Sequence, residues 1–234
     1  ARGGVLEHFG RGCGPLHRAG EWPHSALVRR RQGSARHGHR LFPVRVVPRG
    51  AGTAAFEELI EAFGQPSLIT VFCGTGNNAG DGYILAGRAA QRLIPVLVVE
   101  LGDASHFSAQ TQQAREFAEQ NKVKFTAFSD SMVLEQGIIV DSLLGTGTKG
   151  ALKETYSQAV DNINHAGLPV LAMDIATGLN ADTGAVNDRA VKADITVTFV
   201  GAKPGLFTAR GPAISGEVIY HSLDITNETY EDFA

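Results

Sequence analysis

The 234 residues carry a formal charge of −3 and are 43% hydrophobic, enough for a buried core. No apolar run approaches the roughly 18 residues of a membrane span. Only Cys13 and Cys73 are present, which excludes a disulfide framework and a four-cysteine zinc site and suits a reducing compartment. The charge is unevenly divided: residues 1–50 hold ten Arg, no Lys and two acids, whereas residues 51–234 hold 11 basic and 22 acidic residues. The acidic remainder argues against nucleic acid as a partner.

Residues 1–50 form an atypical Arg-, Gly- and His-rich arm. It has no interleaved aromatics, no amphipathic periodicity and no apolar signal core of about 7–15 residues. It is expected to be disordered or artefactual, with a targeting segment or a nucleic-acid contact as alternatives.

Order is expected from Thr53, where Ala54, Phe56, Leu59, Ile60 and Phe63 recur at helical spacing and Gly64 stops the helix. Leu68–Cys73 is a short apolar run bounded by turn residues, which reads as a buried parallel strand ending in a small buried thiol. A glycine loop follows, then a helix over Tyr83–Leu93. Pro95–Leu101 is a second strand, Ser108–Asn121 a helix capped by Ser108, Val123–Phe128 a third strand and Gly137–Asp141 a fourth. A second glycine loop leads to a helix over Leu152–Ala166. Pro169–Asp174, Asp194–Phe199 and Gly216–Tyr220 complete the set, the last at an edge. Strands alternating with helices of about 10–15 residues imply a three-layer α/β/α Rossmann-like fold with a mostly parallel, doubly wound sheet. The domain is expected over 51–225, followed by an acidic tail at 226–234.

In open α/β sheets, ligands bind beyond the carboxyl ends of the strands. The first strand runs into Gly74-Thr75-Gly76-Asn77-Asn78-Ala79-Gly80-Asp81-Gly82, which reads as a phosphate-binding loop. It is not a Walker loop, because it lacks G-K-[ST]. As a dinucleotide fingerprint it lacks an acid closing the second strand, where Glu100 is followed by Leu101. Asparagine oxygens at Asn77 and Asn78 suit hard cations rather than zinc. Asp141 and Asp174 each end an apolar run, where a lone carboxylate is costly unless paired. Each could cap a loop, but two such acids beside two glycine loops favour a site. Lys203 could reach a phosphate or stand solvated in its loop. His106 and His165 read as surface residues.

NNAGDGY, VDSLLGTG, DIATGLNADTG and FVGAKPGL, in that order and spacing, resemble the NAD(P)H-hydrate epimerases, the N-terminal-domain (YjeF-N) family of bifunctional cofactor-repair enzymes. The similarity spans Ala51–Ile225. The resemblance implies an isomerase that interconverts the R and S forms of hydrated NADH and NADPH at C6 of the nicotinamide ring. It further implies a homodimer, one potassium ion per subunit, and an ATP- or ADP-dependent dehydratase as a fused or separate partner. Asn77, Asn78, Ala79, Gly80 and Asp81, with Gly145, Thr146, Gly147, Thr148, Lys149, Gly150 and Ala151, would hold the substrate's phosphates and sugar. Asn78, Asp141 and Thr177 would ligate potassium, and Asp174 would face the reacting ring as the catalytic acid/base. No membrane contact is implied, and the expected location is the cytoplasm, or the mitochondrion of a eukaryote.

Three departures accompany the resemblance. Ala79 replaces a common Gly, Ala176-Thr177 replaces Pro-Ser, and nothing before Ala51 matches the family's L-M-x-x-A-G helices. The abrupt onset after a Lys-free stretch resembles translation in another reading frame. Two rival readings stand beside the epimerase. One is a non-catalytic nucleotide-binding or dimerisation scaffold of the same fold. The other is an ordinary dehydrogenase, for whose substrate domain the chain leaves no room.

Overall fold

The computed structural model describes residues 50–147 and 150–223. The expected arm before Gly50, the tail after Leu223, and Thr148 and Lys149 therefore lie outside the described residues.

Among the described residues seven strands form one sheet: β1 (Ile69–Cys73), β2 (Val96–Glu100), β3 (Lys124–Ala127), β4 (Ile138–Ser142), β5 (Val170–Met173), β6 (Ile195–Phe199) and β7 (Glu217–His221). Their order is β3-β2-β1-β4-β5-β6-β7, and every pairing is parallel. The central strands are buried along their whole length, because helices cover both faces and leave no polar alternation. The edge strand β3 is largely exposed.

The described residues form the helices α1 (Ala51–Phe63), α2 (Asn77–Gln91), α3 (Ala109–Gln120), α4 (Glu154–His165) and the short α5 (Gly211–Ile214). On one face, Phe56 and Leu59 of α1 and Tyr83 and Leu85 of α2 share a core with Val71, Val98, Val140 and Met173 of the sheet. On the other, Ala159, Val160 and Ile163 of α4 pack with Phe72, Ile139 and Ala172. The Ser108 cap is present: its Oγ accepts the Thr111 N–H at 3.1 Å.

One boundary moves. The segment read as an extended glycine loop is mostly helix, since α2 begins at Asn77 rather than Tyr83. Only Gly74–Gly76 form the loop. Asn and Gly are poor helix formers, but packing overrides propensity here. A Cβ at Gly82 would lie 2.5 Å from Ser142 Oγ and 3.1 Å from Cys73 Sγ, so the glycine lets α2 lie directly on β1 and β4.

Candidate active site

The strand order reverses between β1 and β4, and the loops leaving these strands diverge at a crevice, the usual ligand position in such sheets. Gly76 is the N-cap of α2. Ala79 N–H bonds Gly76 O at 3.1 Å, so the first-turn N–H groups of Asn77 and Asn78 point out of the helix end, as anion binding requires. Asn77 and Asp81 also line a cleft of about 490 Å³ between α2 and α3, within the roughly 300–1,000 Å³ of small-molecule sites. A second, smaller cleft is bordered by Leu144, Gly145, Gly150, Thr177 and Asn180, so the second glycine loop meets the segment after β5. Thr146, Gly147 and Ala151 are exposed there.

Asn78, Asp141 and Thr177 form one connected network. Asn78 Nδ2 donates to Leu144 O at 3.1 Å, and Leu144 N–H donates to Thr177 Oγ1 at 3.1 Å. Thr177 gives both its hydroxyl, to Asp141 Oδ1, and its N–H, to Asp141 Oδ2, each at 2.8 Å. Leu143 N–H adds a third bond to Asp141 Oδ1 at 3.2 Å. Asp141 is wholly buried. Burial pushes its carboxyl up to about 6 even though these bonds favour the anion.

The Thr177 carbonyl already accepts the Val191 N–H at 2.8 Å. The Thr177 hydroxyl and the Asp141 carboxylate still keep unused lone pairs. An all-oxygen set fits a hard cation and not zinc. Among the described residues no cluster of three His, Cys, Asp or Glu side chains could hold a metal.

Asp174 stands differently. It follows β5 with φ of 67°, a left-handed conformation rare outside glycine. Its Oδ1 receives Lys203 Nζ, Thr198 Oγ1 at 3.4 Å and Phe199 N–H at 3.4 Å. Among the described residues no hydrogen bond ends on Oδ2. The bonds that hold the Asp174 carboxylate among the described residues thus all end on one oxygen.

Asp81 lies close enough to Asp174 for the two charges to repel. Burial first, and that repulsion second, push the Asp81 carboxyl up to about 6, against a hydrogen bond from Gly52 N–H. Asp81 therefore joins the first turn of α1 to the site, and the tight approach depends on Gly52, whose Cβ would collide with the Asp81 carbonyl. A negative group here is a poor phosphate ligand, so the first-turn N–H groups are the better anion site.

Several residues carry site geometry without a sequence signal. Lys203, left open between a phosphate and solvent, is instead drawn into the site. Tyr156 of α4 reaches Leu101 O at 3.5 Å, and its hydroxyl and the Thr75 side chain both border Gly102. Ser142 Oγ donates to Asn78 O, tying β4 to α2. Glu100 does not serve a ribose: it accepts Tyr83 Oη at 2.9 Å and both Nε and Nη2 of Arg115, at 2.7 and 3.3 Å. That occupancy removes the acid a dinucleotide fingerprint requires. Cys73 is buried and its thiol is pushed up, by burial first and by Glu100 second. His106 and His165 are exposed as expected.

The parallel sheet is a Rossmann-like α/β fold, with a cluster of polar side chains at its carboxyl edge after β1, β4 and β5. Residues 47–205 match the family of YjeF-related protein N-termini, and the chain belongs to that family. It is 38% identical over 180 residues to the bifunctional NAD(P)H-hydrate repair enzyme of Coxiella burnetii, covering 77% of this chain and 37% of the relative. It therefore spans a little over a third of that enzyme. The NAD(P)H-hydrate epimerase of Limosilactobacillus fermentum is 32% identical over 177 residues, 76% of this chain and 85% of the relative. The crystal structure of yeast ynu0 (YNL200c) superposes with a TM-score of 0.60 at 18% identity, covering 73% of this chain and 74% of that one; it supports the fold alone. No helix among the described residues is long and apolar enough to cross a membrane.

Proposed function

We propose that this chain is an isomerase that epimerises the R and S forms of hydrated NADH and NADPH at C6 of the nicotinamide ring, a step of nicotinamide cofactor repair. The observation that carries the reading is Asp174: a carboxylate on a strained turn at the carboxyl edge, held through Oδ1 and open at Oδ2. The name of the Limosilactobacillus relative, which this chain matches over 85% of its length, supports the same reaction.

The chemistry needs one proton carrier. In the hydrate the hydroxyl sits on the carbon beside the ring nitrogen. Asp174 Oδ2 gives a proton to that hydroxyl, the C–O bond breaks with its electron pair on oxygen, and water leaves. The nitrogen lone pair fills the vacancy and a planar cation results, facing the Asp174 carboxylate. Water adds to the opposite face and releases its proton to solvent, while Asp174 takes a proton back from solvent, so nothing is consumed. Such a positioned acid/base contributes roughly 10²–10⁴-fold.

The N–H groups of Asn77 and Asn78, with Ala79 and Gly80 beside them in α2, and the Gly145–Ala151 loop would hold the phosphates and sugar. Asn78, Asp141 and Thr177 would hold a potassium ion, whose charge would fix the loops after β1, β4 and β5. The assembly we propose is a homodimer in the cytoplasm, or in the mitochondrion of a eukaryotic source. An ATP- or ADP-dependent dehydratase, fused or separate, would consume the S epimer.

The test is a coupled assay. The R hydrate is offered with a dehydratase that accepts only the S form, with potassium or with sodium in its place. Acceleration over spontaneous epimerisation, greater in potassium, is expected. No acceleration in either salt would remove the proposal.

A further inference from the structure

Lys203 is the cation drawn against the candidate acid, and the way it gets there is unusual. After β6 the chain turns at Val200, with φ of 65°, a conformation that β-branched residues almost never adopt. The turn is pinned: Val200 N–H reaches His221 O at 2.9 Å, and Gly201 N–H reaches Phe199 O at 2.7 Å. This strained turn sends residues 201–203 back towards β5, so that Lys203 meets Asp174, itself at φ of 67°. Two rare backbone conformations therefore flank one ion pair, a pattern associated with functional sites.

The ammonium has three N–H bonds to give, and the structure accounts for all three. They go to Asp174 Oδ1, to Thr198 Oγ1 at 3.0 Å and to Phe199 O at 2.8 Å. The side chain is 16% exposed. Nothing is left for a phosphate or for protonating a substrate. A solvated loop lysine would not be bound in this way either.

We propose that Lys203 is a positioning residue for the epimerisation assigned above, on which this inference rests. It locks Asp174 through Oδ1, so that Oδ2 is the oxygen presented to the ring hydroxyl. Its positive charge also lies beside the carboxylate when the proton has left. Thr198 completes the clamp, since its hydroxyl accepts from Lys203 and donates to Asp174 Oδ1.

The experiment is a double-mutant cycle read in kcat and KM, using the whole chain and the R hydrate. Lys203→Met is expected to lower kcat about 10–100-fold with KM changed less than about threefold, because it disturbs the acid and not the substrate-binding loops. In an Asp174→Asn background the same change is expected to have no further effect, because the acid it positions is gone. Lys203→Arg, which keeps the charge, is expected to recover at least part of the lost kcat.

Wild-type kcat in Lys203→Met overturns the inference. So does an equal loss in the Asp174→Asn background, which would mark a general structural role. Should Lys203→Met give no cooperative melt, the cycle is run with Lys203→Arg, whose smaller loss must likewise vanish beside Asp174→Asn. A wild-type chain that does not turn over overturns the epimerase reading and the inference together. A working wild type indifferent to Lys203 overturns the inference alone.

Discussion

Asp141 and Thr177 are joined twice, hydroxyl to Oδ1 and N–H to Oδ2, both at 2.8 Å. The Thr177 hydroxyl at the same time accepts the Leu144 N–H. A buried carboxylate that loses one of these donors is left undersatisfied, at a cost of about 1–3 kcal/mol. Thr177→Val should therefore lower stability by about that amount, while Thr177→Ser, which keeps both donors, should stay within about 0.5 kcal/mol. Urea melts monitored by circular dichroism would show the difference. Equal melts for Val and Ser would mean the hydroxyl bond is not formed.

Asp81 sets a pH dependence whose sign can be worked out. Its carboxyl stands near 6 in the folded protein, against 3.8 without the fold. The native state therefore binds this proton more tightly than the unfolded chain. Stability linked to Asp81 is fully present below pH 3.8 and is lost as pH rises through 6, with Asp141 acting in the same direction. Asp81→Asn still offers Gly52 an oxygen but carries no charge. The stability of the variant relative to wild type should rise between about pH 4 and about pH 8, by on the order of 2 kcal/mol. A pH-independent difference in thermal melts would contradict this.

Glu100 is committed to Arg115 and Tyr83, so it is not free to discriminate a ribose. Glu100→Gln should lower stability by about 1–3 kcal/mol yet leave the ratio of NADHX to NADPHX turnover unchanged within about twofold. A changed ratio would restore the dinucleotide-type reading of β2.

Gly82 tests the close seat of α2. Gly82→Ala should destabilise by about 1–3 kcal/mol, through overpacking against Ser142 and Cys73. A helix interior would otherwise gain from Ala, so a stabilised variant in a denaturant melt would show that the contact relaxes easily.

The strands are legible in the sequence because buried parallel strands are uninterrupted apolar runs: Leu68–Cys73 becomes Ile69–Cys73, and Pro169–Asp174 becomes Val170–Met173. The start of α2 is not legible, because Asn77–Gly82 has turn composition and becomes helical only through packing on β4. Asp141 and Asp174 look alike in sequence, each an acid ending an apolar run. Only the fold separates them, one with both oxygens bonded inside the protein and one with a single oxygen held. Lys203 is hidden for a related reason. Its partner is 29 positions away, and the turn at Val200 that unites them leaves no mark in composition. Tyr156 and Thr75 likewise meet only because α4 and the β1 loop converge.

The most direct test follows the two epimers themselves. Purified R hydrate of NADH is incubated with the whole chain or with Asp174→Asn, and R and S forms are separated by chromatography over time. Wild type is expected to reach the epimer equilibrium at least about 100-fold faster than Asp174→Asn, with both proteins still giving a cooperative thermal melt. A wild type no faster than buffer, or an Asp174→Asn variant as fast as wild type, would contradict the account.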